Sequence, residues 1–239
     1  MKTFVFLLGS SLLVTASQSF SQPDGFESIF DGKTLSGWEG NANQFRVENG
    51  AIVAGNLNST IELNEFLCTT EEYSDFELLV ETKILGDQIP GVSFRAQRVQ
   101  GSTEVGGYQA DMGYLAVEFM PVFFDENEVD MTIPYPLWGS LLDEFRPEKS
   151  RYSDPNAPYR FLGVADRDTV ENALMPSDWN QIRIIATGQS IELFLNDVKT
   201  VDYEEQEPVP DSGHICLQIH SGTPAKVEYR NIYISGIEG

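Results

Sequence analysis

Few residue types in this chain can do chemistry at neutral pH. It has two histidines, His214 and His220, and two cysteines, Cys68 and Cys216, in 239 residues. The informative polar residues are those in the polar phase of apolar–polar alternation. Ser93 and Arg95 alternate with Val92 and Phe94. Gln109 and Asp111 are two apart. His214, Cys216, Gln218 and His220 alternate with Ile215, Leu217 and Ile219. Residues i and i+2 of a strand share a face, so Arg95, Gln109, Asp111, Gln218 and His220 are expected opposite the apolar side chains. In a two-layer sandwich the apolar face meets the other sheet, which leaves the polar face to a groove. Polar groups gathered there need partners that both donate and accept. Gln218 or Ser93 alone reads as a solvated outer-face residue; Arg95, Asp111, Glu144 and His220 together read as a site once the motifs described below are added.

Other combinations are weaker. Cys216 beside His214 or His220 on a strand is no sign of an activated thiolate. The two histidines would stand about 20 Å apart along one strand, too far for one metal. Asp143 and Glu144 are adjacent and point to opposite faces, so they make a poor acid/nucleophile couple; Asp111 with Glu144 serves an ordinary glycosidase better. The run Asp125–Asp130 has carboxylates for Ca²⁺ but neither the ligand order nor the glycine of an EF-hand, and reads as a solvated charge run. No motif requires a cofactor. A divalent metal held by Asp111 or Glu144 is left open, with its ligands undetermined.

The elements that must position these residues are strands. Phe45–Val47 and Ala51–Val53 flank Glu48-Asn49-Gly50, a hairpin signal. Phe76–Ile84, Gly91–Arg95, Tyr108–Met112, Gln181–Thr187, Ser190–Leu195, His214–His220 and Val227–Ser235 alternate as half-buried strands do. Helical periodicity is nearly absent; Ser140–Phe145 could make a turn or two. Pro121–Pro136 and Arg146–Ser177 read as long loops. The pattern predicts an all-β fold, a two-sheet antiparallel β-sandwich or jelly roll with long loops, in one domain over 22–239.

Composition narrows the function. Fifteen Lys and Arg against 37 Asp and Glu give a net charge of −22. Such a chain repels phosphate, which argues against nucleic acid and anionic membrane surfaces as partners. Met1–Ser21 combines one Lys, an apolar run too short to span a bilayer comfortably, and small residues at Ser19 and Ser21. It reads as a signal peptide cleaved near Ser21, placing the mature protein in the periplasm or outside the cell. No later stretch reaches a membrane span. Export permits a Cys68–Cys216 disulfide, while their apolar neighbours suit buried free thiols equally. Oligomeric state is not indicated.

Several segments, in order, resemble one family. Phe26–Trp38 is similar to "LFDGKSLDGW", Phe45–Ile52 to "W.VEDG.I", Tyr73–Leu78 to "Y.DFEL", and Gly91–Arg95 to "SGI.FR". Gly107–Asp111 resembles "GYE.QI.D", Gly139–Glu144 "GSLYDE", Asp178–Asn180 "WN", His214–Gly222 "G.I.LQ.H.G" and Tyr229–Ile232 "FRNI". The shared order over Gly25–Gly239 resembles the 3-keto-disaccharide hydrolase family. The resemblance implies a concanavalin A-like sandwich whose concave sheet holds sugars, with some members cleaving glycosides oxidised at C3. Two departures stand out. Met120–Leu137 is inserted, and Leu142 replaces the family's Tyr.

A C3 ketone acidifies the hydrogen on C2. A base removes it, the C1 substituent leaves by β-elimination, and water adds to the glycal. Such a path needs a base, a donor or cation for the enediolate oxygen, and an acid for the leaving oxygen. His220 suits the base and Arg95 the oxyanion. Asp111 or Glu144 would orient the histidine, act as the acid, or bind a metal. Gln109, Tyr108, Gln218, Trp138 and Asp143 would hold the sugar. The alternatives are a non-catalytic, lectin-like carbohydrate-binding module and an ordinary glycoside hydrolase.

Overall fold

The computed structural model describes residues 22–113, 117–124, 127–133, 137–144, 160–207 and 209–237, with the backbone alone over 117–124, 127–133 and at 160. The expected signal peptide, the acidic run at 125–130 and residues 146–160 of the expected loop therefore lie outside the described side chains.

Among the described residues seventeen strands and one helix follow one another. They are β1 (Glu27–Ser28), β2 (Trp38–Glu39), β3 (Phe45–Glu48), β4 (Ala51–Asn56), β5 (Glu65–Thr69), β6 (Phe76–Gly86), β7 (Gly91–Arg98), β8 (Val105–Asp111), β9 (Val117–Phe124), β10 (Asn127–Ile133), β11 (Leu141–Glu144), β12 (Arg160–Gly163), α1 (Arg167–Ala173), β13 (Asn180–Thr187), β14 (Ser190–Leu195), β15 (Val198–Glu204), β16 (His214–Ile219) and β17 (Ala225–Gly236). The first sheet runs β15-β14-β13-β6-β17-β4-β3, with β1 on β17; the second runs β12-β11-β8-β7-β16-β5-β2. Every pairing is antiparallel. The expected sandwich is the fold.

Local chemistry explains the turns. Asn49 and Gly50 both take positive φ, 52° and 80°, as the two-residue turn between β3 and β4 requires. Asn196 and Asp197, at φ 48° and 65°, do the same between β14 and β15. Asp166 caps α1, accepting from the Thr169 N–H at 2.9 Å.

The core fills the space between the sheets. Phe76, Leu78 and Val80 of β6, Ile182 and Ile184 of β13, and Ile191, Leu193 and Leu195 of β14 meet Val92, Phe94, Tyr108, Ala110, Leu141, Ile215 and Leu217 of the second sheet. A smaller apolar cluster lies on the second sheet's outer face: Phe66, Cys68, Ala96, Val105 and Cys216. There Cys68 and Cys216, directly opposite on β5 and β16, form a disulfide with Cα atoms 4.0 Å apart.

Three expectations on secondary structure change. Ser140–Phe145 holds no helical turn among its described residues, because Leu141–Glu144 pairs with β8 on one side and β12 on the other. Within the expected loop Pro121–Pro136, β9 and β10 pair with each other. The expected loop Arg146–Ser177 contains β12 and the helix α1. Among the described residues no helix is long and apolar enough to cross a membrane.

Candidate functional site

The outer face of the second sheet carries a hollow of about 220 Å³, lined by Ile89, Gln109, Asp111, Leu137, Leu142, Glu144, Gln218 and His220. Strand register assembles it. Gly91 pairs with Asp111, Val92 with Ala110, and Leu217 with Val92. The outward positions 218, 91 and 111 therefore follow one another across three strands. Gly91 leaves the middle of that row bare. Gln109 fills it: a Cβ at Gly91 would stand 2.3 Å from the Gln109 carboxamide carbon. Leu142 lies opposite Gln109 and Glu144 opposite Gly107, which brings β11 side chains to the same face.

Asp111 is buried, and Gln109 Nε2 donates to its Oδ1 at 3.0 Å. Gln109 Oε1 accepts from the Ser93 hydroxyl at 2.8 Å, which fixes the amide's orientation. Burial pushes the Asp111 carboxyl up to about 8, outweighing the Gln109 donor and the Met112 N–H that favour the anion. Asp111 thus holds its proton at neutral pH.

His220 is tuned in the opposite direction. Burial pulls its imidazole below the ordinary histidine value. Its Nδ1 lies 2.7 Å from the Ser221 carbonyl. A carbonyl only accepts, so the neutral ring carries its proton on Nδ1 and leaves a lone pair on Nε2. Ser221 is held in turn, its N–H donating to Asn64 Oδ1 at 2.8 Å.

Gln218 is fully buried, and neither its amide oxygen nor its amide nitrogen has a hydrogen-bond partner. It is not the solvated residue that its type alone suggests. Leaving such groups unpaired costs on the order of 1–3 kcal/mol each, a penalty that a ligand with hydroxyl groups would relieve. The Tyr229 hydroxyl crosses from the other sheet and donates to the Gln218 carbonyl at 2.6 Å, pinning this part of β16.

Four expected site residues lie elsewhere. Arg95 takes φ 47° in a bulge between β7 and β8, where register shifts between Phe94 and Gln97. The extra residue breaks the alternation. Its buried guanidinium donates to the Ser74 and Gly188 carbonyls, at 3.0 and 2.7 Å, and to Asp75 Oδ1 at 3.0 Å. It clamps β7 to the β13–β14 turn and is absent from the hollow's lining. Arg95→Met is therefore expected to lower the melting temperature by roughly 5–15 °C and spare turnover at permissive temperature, read by thermal unfolding beside an activity assay. Lost turnover with unchanged melting would return the guanidinium to the substrate.

Tyr108 faces inward, stacked on Phe94 at 5.4 Å, with its hydroxyl donating to Glu205 Oε2 at 2.8 Å. Asp143 pairs with Tyr108 in register and shares its face, opposite Glu144. Trp138 is buried and lines a different hollow. The hollow thus unites His220, Asp111, Glu144, Gln109 and Gln218. Sequence reasoning missed its apolar walls, Ile89, Leu137 and Leu142, which no polar pattern marks. Among the described residues no three His, Cys, Asp or Glu side chains are grouped to hold a metal ion.

Two facing antiparallel sheets with this outer-face hollow define a β-sandwich of the concanavalin A-like class. Solved structures share the architecture. A candidate glycosyl hydrolase from Parabacteroides distasonis ATCC 8503 superposes with a TM-score of 0.59 at 17% identity, over 90% of this chain and 94% of its own. The carbohydrate-binding module CBM66 from Bacillus subtilis gives 0.55 at 12%, over 84% and 96%. The Bacillus licheniformis beta-glucanase gives 0.55 at 8%, over 89% and 97%. No curated protein matches the chain. Residues 25–235 match the 3-keto-alpha-glucoside-1,2-lyase-like domain, and the chain belongs to that family.

Proposed function

We propose that the chain cleaves glycosides carrying a ketone at C3, by proton abstraction and β-elimination in the hollow of the second sheet. One observation carries the reading: two oppositely tuned groups, a neutral imidazole with a bare Nε2 and a carboxyl that keeps its proton, line the same hollow. His220 Nε2 takes the C2 hydrogen as a proton. The electron pair moves onto the C3 oxygen, then returns to form the C1=C2 bond as the C1–O bond breaks. The leaving oxygen takes its proton from Asp111. When water adds, Asp111 accepts a proton as hydroxide joins C1, and His220 returns one to C2. The unpartnered Gln218 amide supplies the N–H donor for the C3 oxygen, the task first expected of Arg95. Gln109 and Glu144 hold hydroxyls. Family membership supports the substrate class.

Glu144 beside Asp111 in the hollow favours a second reading, ordinary glycoside hydrolysis with Asp111 as acid. Incubation with 3-keto-lactose and 3-keto-trehalose, beside unmodified lactose and trehalose, separates the readings. Elimination predicts sugar release from the ketosides alone. Release from the unmodified disaccharides would make it an ordinary hydrolase. Binding without release from either would make it a carbohydrate-binding module. Export fits the Cys68–Cys216 disulfide, since such bonds persist in oxidising compartments.

A further inference from the structure

A second hollow, of about 280 Å³, opens beside the end of β6 and the start of β13. Ile89 and Leu137 line the first hollow, while their chain neighbours Gln88 and Trp138 line the second. Its charged groups are one-sided, all acidic, beside donors from the Ser177 hydroxyl and the Trp138 indole. Gln88 is buried, and its Nε2 donates to the Thr223 carbonyl at 2.9 Å, which leaves Oε1 without a donor. Asp87 and Asp178 add two exposed carboxylates. The Asn180 amide is already spent on the Met175 and Asp178 backbone. No Lys, Arg or His is among the described lining residues. Trp138 supplies an apolar wall. A ligand that suits this hollow must bring donors and must not bring negative charge.

We propose that the second hollow binds the leaving-group sugar of the same substrate and selects neutral or amino sugars over acidic ones. This rests on the elimination reading above, whose substrate has a second sugar to place once its reacting ring sits in the first hollow. The unpaired Gln88 oxygen takes a hydroxyl or ammonium proton. Asp87 and Asp178 favour a cationic substituent and repel a carboxylate.

The test needs no turnover. Glucosamine, glucose and glucuronic acid are titrated calorimetrically into the full chain and into D87K/D178K, whose two changes are on exposed side chains outside the first hollow. The parent should bind glucosamine most tightly and glucuronic acid most weakly. The variant should invert that order, with the affinity ratio shifting roughly tenfold or more. In kinetics, the variant should raise KM for a 3-ketoside with an amino-sugar leaving group and lower it for one with a glucuronic acid leaving group. No discrimination among the three sugars, or an order indifferent to charge reversal, overturns the proposal. Failure to turn over any 3-ketoside removes the elimination reading instead, and the binding inversion then decides this site alone.

Discussion

Asp111→Asn should be more stable than the parent at pH 8 and almost inactive. The unfolded carboxyl ionises near its ordinary 3.8, whereas the folded one holds its proton up to about 8. Between these values unfolding releases a proton, so stability falls as pH rises through the window and levels off above it. At about 1.4 kcal/mol per pH unit over the window from 3.8 to about 8, the full penalty is bounded at about 6 kcal/mol. Asn keeps an oxygen for the Gln109 donor and carries no charge to desolvate. A gain of roughly 2–4 kcal/mol at pH 8, vanishing by pH 4, is expected from unfolding curves taken across that range. A stability difference that does not vary with pH would refute the raised carboxyl. Turnover of a 3-ketoside should fall by about 10²–10⁴, because the amide cannot protonate the leaving oxygen.

His220→Gln should cost a similar factor in kcat, about 10²–10⁴, with little change in KM. The reason is the lone pair on Nε2, which an amide cannot replace as a base. Exchange of the C2 hydrogen with deuterated solvent, a readout independent of the leaving group, should disappear with it. Undiminished turnover or retained exchange would remove His220 from the base position. The pH signs follow from the same two groups. Activity should fall on the acid side as the imidazole protonates, below the ordinary histidine value, and on the alkaline side as Asp111 ionises near 8. For stability, the lowered histidine works against the fold in acid: the unfolded ring takes a proton from about 6.5 downward, so stability drops as pH falls towards the folded value. His220→Gln should remove that acid-side loss.

How much of this was legible depended on whether a feature follows strict alternation. Gln109, Asp111, Gln218 and His220 obey period two and share the predicted face. Arg95 looked equivalent, four residues along from Gly91, yet one bulge turned its side chain towards the other sheet. Nothing local marks that bulge, because the glycine that often accompanies positive φ is absent at Arg95. Tyr108 shows a different limit. Its ring suits sugar stacking, but its neighbours Gln109 and Asp111 already claim the outer face, which sends Tyr108 inward. Residue type pulled one way, and geometry pulled harder. The short strand Leu141–Glu144 carries too few residues to show a period, so pairing on both sides, a tertiary effect, decides it. The burial that sets Asp111 and His220 apart is likewise a property of neighbours distant in sequence.

The bond between Cys68 and Cys216 joins positions 148 apart. It turns most of the chain into a covalent ring that contains β6 to β15, with β5 and β16 as the clasp. In the chain-entropy view, closing a ring this long removes about 5 kcal/mol of freedom from the unfolded ensemble. Any peptide bond cut inside the ring leaves two fragments that remain a single molecule until reduced. The last strands, β16 and β17, therefore stay tethered to the first even when the intervening chain is severed.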